Sequence, residues 1–269
     1  MTTAAATSYG DLFDRMRRTS PLVQCITNYV AMNFAANVLL AAGASPAMVH
    51  APEEAGEFAR LAGALTINIG TISPYWLTGM REAAKAANDS GKPWVLDPVA
   101  HFATAFRRKA TEELLALHPT VIRGNASEIM ALSGMANSGR GVDSGDTVDS
   151  AQASASMLAK QTRAVIAVTG AVDFVTNGQR AARIEGGSAW MPKITAMGCA
   201  LTCLIGALTA AASKDPFVAT VGALAGFAVA GTQAAQQATG PGSFAWRFID
   251  ALAALDGAML QAQAKIAFV

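Results

Sequence analysis

"PWVLDPVAHFATAFRRKATEELLALHPTVIRGNASEIMALSG", residues 93–134, decides the fold. "PWVLDPV" and "PTVIRGN" are apolar runs of strand length that stop on polar residues. "RRKATEELLALH" between them reads as a helix, and "ASEIMALSG" begins another straight after the second run. Strand, helix, strand, helix is the grammar of a mostly parallel sheet covered on both faces.

The same grammar extends both ways. "PLVQCITN", "ALTINIG" and "RAVIAVTG" read as further buried strands, and "PAMVH" as a short apolar run. "YGDLFDRMRR", "AMNFAANVLLAAGA" closed by Gly43, "PEEAGEFARLAG" and "SAQASASMLAKQT" read as helices. "SPYWLTGMREAAKAANDSG" is another, with Ser73 as its cap and Pro74 at its first position. "DFVTN" and "AARIEGG" read as a hairpin across "GQ", and "GRGVDSGD" as a polar loop. From Cys199 onward the chain reads as almost wholly helical. Nothing repeats and no long linker interrupts the pattern. Residues 1–269 therefore read as one α/β domain with an extended helical C-terminal part.

Composition agrees with a large core. Of 269 residues, 52% are hydrophobic and only 14% charged, with a net charge of +1. A surface this short of charge is explained by burial in an oligomer. No basic stripe offers a footprint for nucleic acid. Three cysteines are too few for a disulfide framework and point to a reducing cytoplasm. The first residues lack the apolar core of a signal peptide. "FVATVGALAGFAVAGTQAA", residues 217–235, carries no charge, but its Ala and Gly content suits a buried helix better than a membrane span.

Ligands of open α/β sheets gather beyond the C-terminal strand ends. The residues there are Asn28, Met48, Asn68, Asp97, Arg123, Asn125, Thr169 and Gly170. Asp97, followed by Pro98, has two readings: a carboxylate for Mg²⁺ or its waters, or a loop cap that accepts backbone N–H groups. Asn125-x-x-Glu128 fits a capping box, and also brings a second carboxylate near Asp97 if the two strands are neighbours. Arg123 needs an anion, which a nucleotide phosphate would supply. Thr169 is either a ribose or phosphate contact or a turn former. His50, His101 and His118 show no metal-ligand spacing, and the four tryptophans read as packing. "GRG" at 139–141 lacks the context of a phosphate loop.

After "WMPKITAM" a helix starts near Gly198 or Cys199. Its first turn offers unpaired N–H groups and a positive dipole end, suited to a phosphoryl group. The dipole is expected to lower the pKa of Cys199, which then serves as a base or as a positioning group. Cys203, one turn on, reads as packing.

"CITNYVAMNFAANVLLAAGASPAMVHAPEEAGEFA", "ALTINIGT", "PWVLDPVA", "VIRGNASEIMALSG", "VTGAVDFVTNG", "MGCALT" and "GPGSFAWRFIDAL" together resemble the hydroxyethylthiazole kinases of the ribokinase-like superfamily. The resemblance spans about residues 20–255. It implies ATP- and Mg²⁺-dependent phosphorylation of the primary hydroxyl of 4-methyl-5-(2-hydroxyethyl)thiazole in thiamine salvage. It also implies a homotrimer with thiazole sites at the subunit boundaries. By the same resemblance Met48 and Gly198 contact the thiazole, with Asn28 beside them. Arg123 and Thr169 bind ATP, Asp97 and Glu128 support magnesium and phosphates, and Cys199 takes the place of the catalytic base. Alternatives are a kinase for another small alcohol, such as a hydroxymethylpyrimidine, and a catalytically weak thiazole-binding homologue. Two departures bear on them. The family usually has Gly-Thr-Gly-Cys or Gly-Ser-Gly-Cys where this chain has Ala196-Met197-Gly198-Cys199, and Phe102 stands where Gly is common. If the first position requires positive φ, Ala196 is strained there.

Overall fold

A computed structural model describes residues 8–134, 148–212 and 215–269. The polar loop "GRGVDSGD" lies outside them. In chain order the elements begin α1 (Tyr9–Thr19), β1 (Leu22–Ile26), α2 (Met32–Ala42), β2 (Ser45–Ala47), α3 (Pro52–Leu61), β3 (Ala64–Asn68) and α4 (Pro74–Asp89). There follow β4 (Trp94–Asp97), α5 (Ala105–Leu115), β5 (Val121–Asn125), α6 (Ala126–Leu132), α7 (Val148–Thr162) and β6 (Val165–Thr169). The chain ends with β7 (Val172–Thr176), β8 (Ala181–Glu185), α8 (Met197–Ala212), α9 (Pro216–Gln237), α10 (Pro241–Ala254), α11 (Gly257–Gln263) and β9 (Lys265–Phe268).

The strands form one sheet in the order β2-β1-β3-β4-β5-β6-β7-β8-β9. The first six run parallel, and β7, β8 and β9 continue antiparallel. A mostly parallel α/β sheet of ribokinase-like type is thus the fold, and β7–β8 is the expected hairpin. The chain from Cys199 onward is almost wholly helical, as expected, except that Lys265–Phe268 pairs with β8 as an edge strand. Four residues, mostly exposed, are too short a run to mark a strand, so this edge strand leaves little trace in the sequence.

Two apolar layers lie on the two faces of the sheet. Val23, Cys25, Val95, Val121 and Val165 join one core with α1, α2, α8, α9 and α10. Leu65, Ile67, Trp94, Leu96, Ile122 and Val168 join the other, under residues of α3, α4, α5, α6 and α7. Side chains alternate along a strand. Continuing that alternation to the strand ends aims Asn68, Asp97, Arg123 and Thr169 at the α8 face. The pleat, more than the strand ends alone, selects the residues that meet the start of α8.

α8 lies directly on the sheet. A Cβ on Gly206 would stand 2.5 Å from Thr66 Cγ2, so a side chain there would lift the helix off β3. Cys203 is buried against Thr66, as packing requires. α9 packs against α8, α10, β6, β7 and β8, and its most apolar window is 83% buried, so the uncharged segment is a core helix.

Candidate active site at the strand ends and the start of helix α8

Asp97 closes β4 with no solvent exposure. Its Oδ2 accepts from Asn68 Nδ2 (2.7 Å), Thr202 Oγ1 (2.9 Å) and Arg123 Nη1 (3.4 Å). Its Oδ1 is buried without a partner among the described residues. Burial pushes the Asp97 carboxyl up to about 6; the Arg123 charge opposes the rise and Glu128 adds to it. No backbone N–H reaches this carboxylate among the described residues, so it does not act as a loop cap.

Glu128 does that work instead. Its Oε2 accepts from Asn125 N (2.8 Å) while Asn125 Oδ1 accepts from Glu128 N (2.8 Å), which is the expected capping box. Its Oε1 accepts from Ala100 N (3.0 Å) in the loop after β4. The carboxylate is therefore structural and also close enough to act on Asp97. The same loop is held by Arg107, whose guanidinium donates to the carbonyls of Ile69, Gly70 and Val99, and by Arg108 Nη1 on the Phe102 carbonyl (2.8 Å). His101 Nε2 meets the Glu128 carbonyl at 3.0 Å, and burial lowers its pKa.

Arg123 reaches from β5 to Thr169 Oγ1 at 2.6 Å, and its Nε has no partner among the described residues. Its guanidinium lies over the first turn of α8. A Cβ on Gly198 would stand 2.6 Å from Nη1, so only glycine admits this approach. Ala196, just before α8, has φ +66°. The strain anticipated for a non-glycine residue at this turn is present. The helix begins at Met197, one or two residues earlier than its sequence suggests, and Met197 is buried at that turn.

Cys199 occupies that first turn, and its Sγ accepts from Asn28 Nδ2 (3.2 Å) and Asn68 Nδ2 (3.3 Å). The expected fall in its pKa does not occur. Burial pushes the thiol up and the Asp97 charge pushes it further; the two asparagine donors and Arg123 only partly oppose this. A helix terminus contributes about 0.3–1 kcal/mol, less than one pKa unit, and the burial outweighs it. The site thus favours the thiol over the thiolate.

Both asparagine amides are fixed. Asn28 Oδ1 accepts from the backbone of Val30 and Ala31, and its Nδ2 also donates to Asn68 Oδ1 (2.9 Å). Asn68 Oδ1 accepts in addition from Gly70 N (2.9 Å). Asn68 stands among the strand-end residues of the sequence, yet only the fold shows that it joins Asp97 to Cys199. Thr202 gave no sequence signal of its own beyond lying one turn after Gly198.

In sheet order the site is a row: Met48 after β2, Asn28 after β1, then Asn68, Asp97, Arg123, Thr169, and Asp173 on β7. Met48 is half-buried against the α8-side core at the far end of the row. At the other end a cavity of about 720 Å³ is lined by Arg123, Thr169, Gly170, Asp173, Met197 and Phe227, among others. Met48, Asn28, Asp97 and Glu128 are not among its lining.

The sequence model of the hydroxyethylthiazole kinase family matches residues 13–257. A hydroxyethylthiazole kinase from Rhizobium johnstonii is 68% identical over 260 residues, covering 97% of each chain. A solved hydroxyethylthiazole kinase structure from Pyrococcus horikoshii superposes with a TM-score of 0.89 at 38% identity, covering 97% of this chain and 98% of that one. A ribokinase-like superfamily protein from Enterococcus faecalis, 12% identical with a TM-score of 0.62 over 96% of this chain and 93% of its own, shares the fold alone.

Proposed function

Because the chain belongs to the hydroxyethylthiazole kinase family, we propose that it transfers the terminal phosphoryl group of ATP to the primary hydroxyl of 4-methyl-5-(2-hydroxyethyl)thiazole, a step of thiamine biosynthesis. The observation that carries this reading is the division of the row. Its β2, β1 and β3 end is uncharged, with Met48, Asn28, Asn68 and the Cys199 thiol, and suits a neutral alcohol. Its β5 and β6 end holds Arg123 and Thr169 beside the cavity and suits a polyphosphate. The two ends meet at Asp97 and Gly198.

In this assignment Arg123 and the N–H groups opening α8 stabilise charge on the transferred phosphoryl group. Gly198 keeps that approach open. Thr169 orients Arg123 and shares the phosphate contact. Cys199, held by two amides, shapes the place of the acceptor hydroxyl rather than removing its proton. A loose transition state requires little proton abstraction, so a neutral thiol suffices.

The fold also fits magnesium. Mg²⁺ is bound through one or two carboxylates plus substrate phosphates, and keeps several waters. The unpartnered Oδ1 of Asp97 would serve as such a ligand or as a water acceptor, with Glu128 adding negative charge nearby. Bound there with the nucleotide, the ion would neutralise phosphate charge.

A homotrimer with acceptor sites at its boundaries agrees with Tyr29 and Val30, which follow Asn28 directly and are 66% and 59% exposed. A cytoplasmic setting agrees with three unpaired cysteines. Incubation of the protein with the thiazole alcohol, ATP and Mg²⁺ should yield thiazole monophosphate and ADP by chromatography. No product with ample enzyme would overturn the reading, as would preference for a hydroxymethylpyrimidine at equal concentration. Sedimentation equilibrium checks the trimer.

A further inference from the structure

We propose that Asp173 is the specificity residue that reads the ribose hydroxyls of the nucleotide; this rests on the kinase reading of the same site. Among the described residues Asp173 is the one carboxylate lining the 720 Å³ cavity, and Arg123 the one cation. It lies on β7, and its partner in the hairpin, Ile184, joins the α8-side core, so the pleat aims Asp173 at the same face as Arg123.

A bland role is available: Asp173 Oδ1 accepts from Gly170 N at 2.9 Å and so steadies the turn between β6 and β7. That role uses one oxygen. Oδ2 makes no hydrogen bond among the described residues and is not sealed away from the cavity. The carboxylate is thus pinned by one oxygen and offers the other. Burial pushes its pKa up to about 6, and the Gly170 N–H and then the Arg123 charge oppose the rise.

The chemistry of the occupant follows from charge and from distance. A carboxylate repels phosphates, so the nucleotide's anionic part must stop short of it at Arg123 and Thr169. From β4, where Asp97 and the start of α8 receive the terminal phosphoryl group, to β7 is three strand spacings, about 14 Å. A triphosphate followed by a C5′ methylene spans that interval and presents neutral sugar hydroxyls at its end. Hydroxyls donate to a carboxylate, which is how acidic residues read ribose elsewhere. Beyond them Met191, Pro192 and Phe227 give the cavity an apolar bed for the base.

A hydrogen bond to a charged group, lost when a hydroxyl is removed, is worth roughly a tenfold to hundredfold change. The test compares kcat/KM for ATP, 2′-deoxy-ATP and 3′-deoxy-ATP at saturating thiazole and fixed excess Mg²⁺. Wild type should prefer ATP by at least about tenfold over one deoxy nucleotide. Asp173→Asn keeps an oxygen for Gly170 N and should lose most of that preference through the nucleotide KM, with the thiazole KM unchanged. Absence of discrimination by wild type, discrimination retained in the variant, or a defect rescued by more Mg²⁺ would each overturn the proposal. Wild-type turnover with ATP reports on the kinase reading separately. Calorimetric binding of ATP against 2′- and 3′-deoxy-ATP reads Asp173 even without turnover.

Discussion

Replacing Asp97 by Asn should stabilise the fold while disabling the enzyme. The carboxyl is fully buried, and its pKa rises from 3.8 to about 6 on folding. A rise of roughly two units disfavours the ionised form by about 3 kcal/mol at neutral pH, with the help of Arg123 already included. Asn removes the charge but keeps an acceptor for Asn68, Thr202 and Arg123. Its amide nitrogen takes the position of Oδ1, which is unpartnered in either case. The lost attraction of Arg123 is already counted in that figure, so the gain should be at most about 3 kcal/mol at pH 7.5.

The pH dependence fixes the cause. Between 3.8 and about 6 the folded protein binds more protons at Asp97 than the unfolded chain does. Stability therefore falls as pH rises through that window. Well below pH 4 both states are protonated and the penalty vanishes; well above 6 it is complete. Urea unfolding of wild type and Asp97→Asn should coincide near pH 4, separate between pH 4 and 6, and stay apart above pH 7. Phosphoryl transfer should fall at least about 100-fold, in keeping with the loss of an electrostatic group at the reacting centre. A variant less stable than wild type at pH 7.5, or a gap that is the same at pH 4.5 and 7.5, would refute the reasoning.

Three further outcomes are expected. Ala196→Gly removes a left-handed residue that costs about 1–2 kcal/mol and adds back about 0.5–1 kcal/mol of chain entropy, so denaturant unfolding should show slight stabilisation and the KM for ATP should not rise; clear destabilisation would contradict the φ of +66°. Gly198→Ala puts a methyl group 2.6 Å from Arg123 Nη1 and must displace the guanidinium; kcat/KM for ATP should fall at least about tenfold with circular dichroism unchanged, whereas normal kinetics would take Arg123 out of the nucleotide site. Because burial and the Asp97 charge push the Cys199 thiol up, its alkylation by iodoacetamide should be slower at pH 7 than that of a free thiol, and the kinase rate between pH 6.5 and 8.5 should not track thiolate formation; fast labelling at pH 7 would restore the thiolate base.

What the sequence revealed depended on how local the determinant was. The buried strands are plain as apolar runs ending in polar residues, and the Glu128 capping box follows from four consecutive positions. The order β2-β1-β3 is not local, and β9 is too short and too exposed to stand out. The sequence puts the start of α8 late because Ala196 is no capping residue; its left-handed backbone, not its side chain, precedes the helix. The sequence points the Cys199 shift the wrong way for a related reason. Helix position is local, but burial and the Asp97 carboxylate, 102 positions away, are not. Asp173 lay within a segment that reads only as a hairpin strand, and its access to the cavity depends on the turn from β6.

The neutral thiol is a consequence of the same placement that makes Asp97 useful. A second anion at Cys199 would be repelled by the Asp97 charge and by the phosphates, and burial disfavours it further. The uncharged half of the row therefore stays uncharged up to the junction, where Asp97 holds the one fully buried carboxylate among the residues of the row. An alcohol binding there meets amide and thiol dipoles whose orientation is fixed by Asn28 and Asn68, whose side chains bond to each other and to backbone N–H groups. On the proposed assignment its reactivity comes from position and from the charge gathered on the phosphoryl side by Arg123 and the start of α8. Those are the elements for which the fold accepts a buried ionised carboxyl at Asp97 and a left-handed alanine at 196, each of which costs stability and neither of which the sheet itself requires.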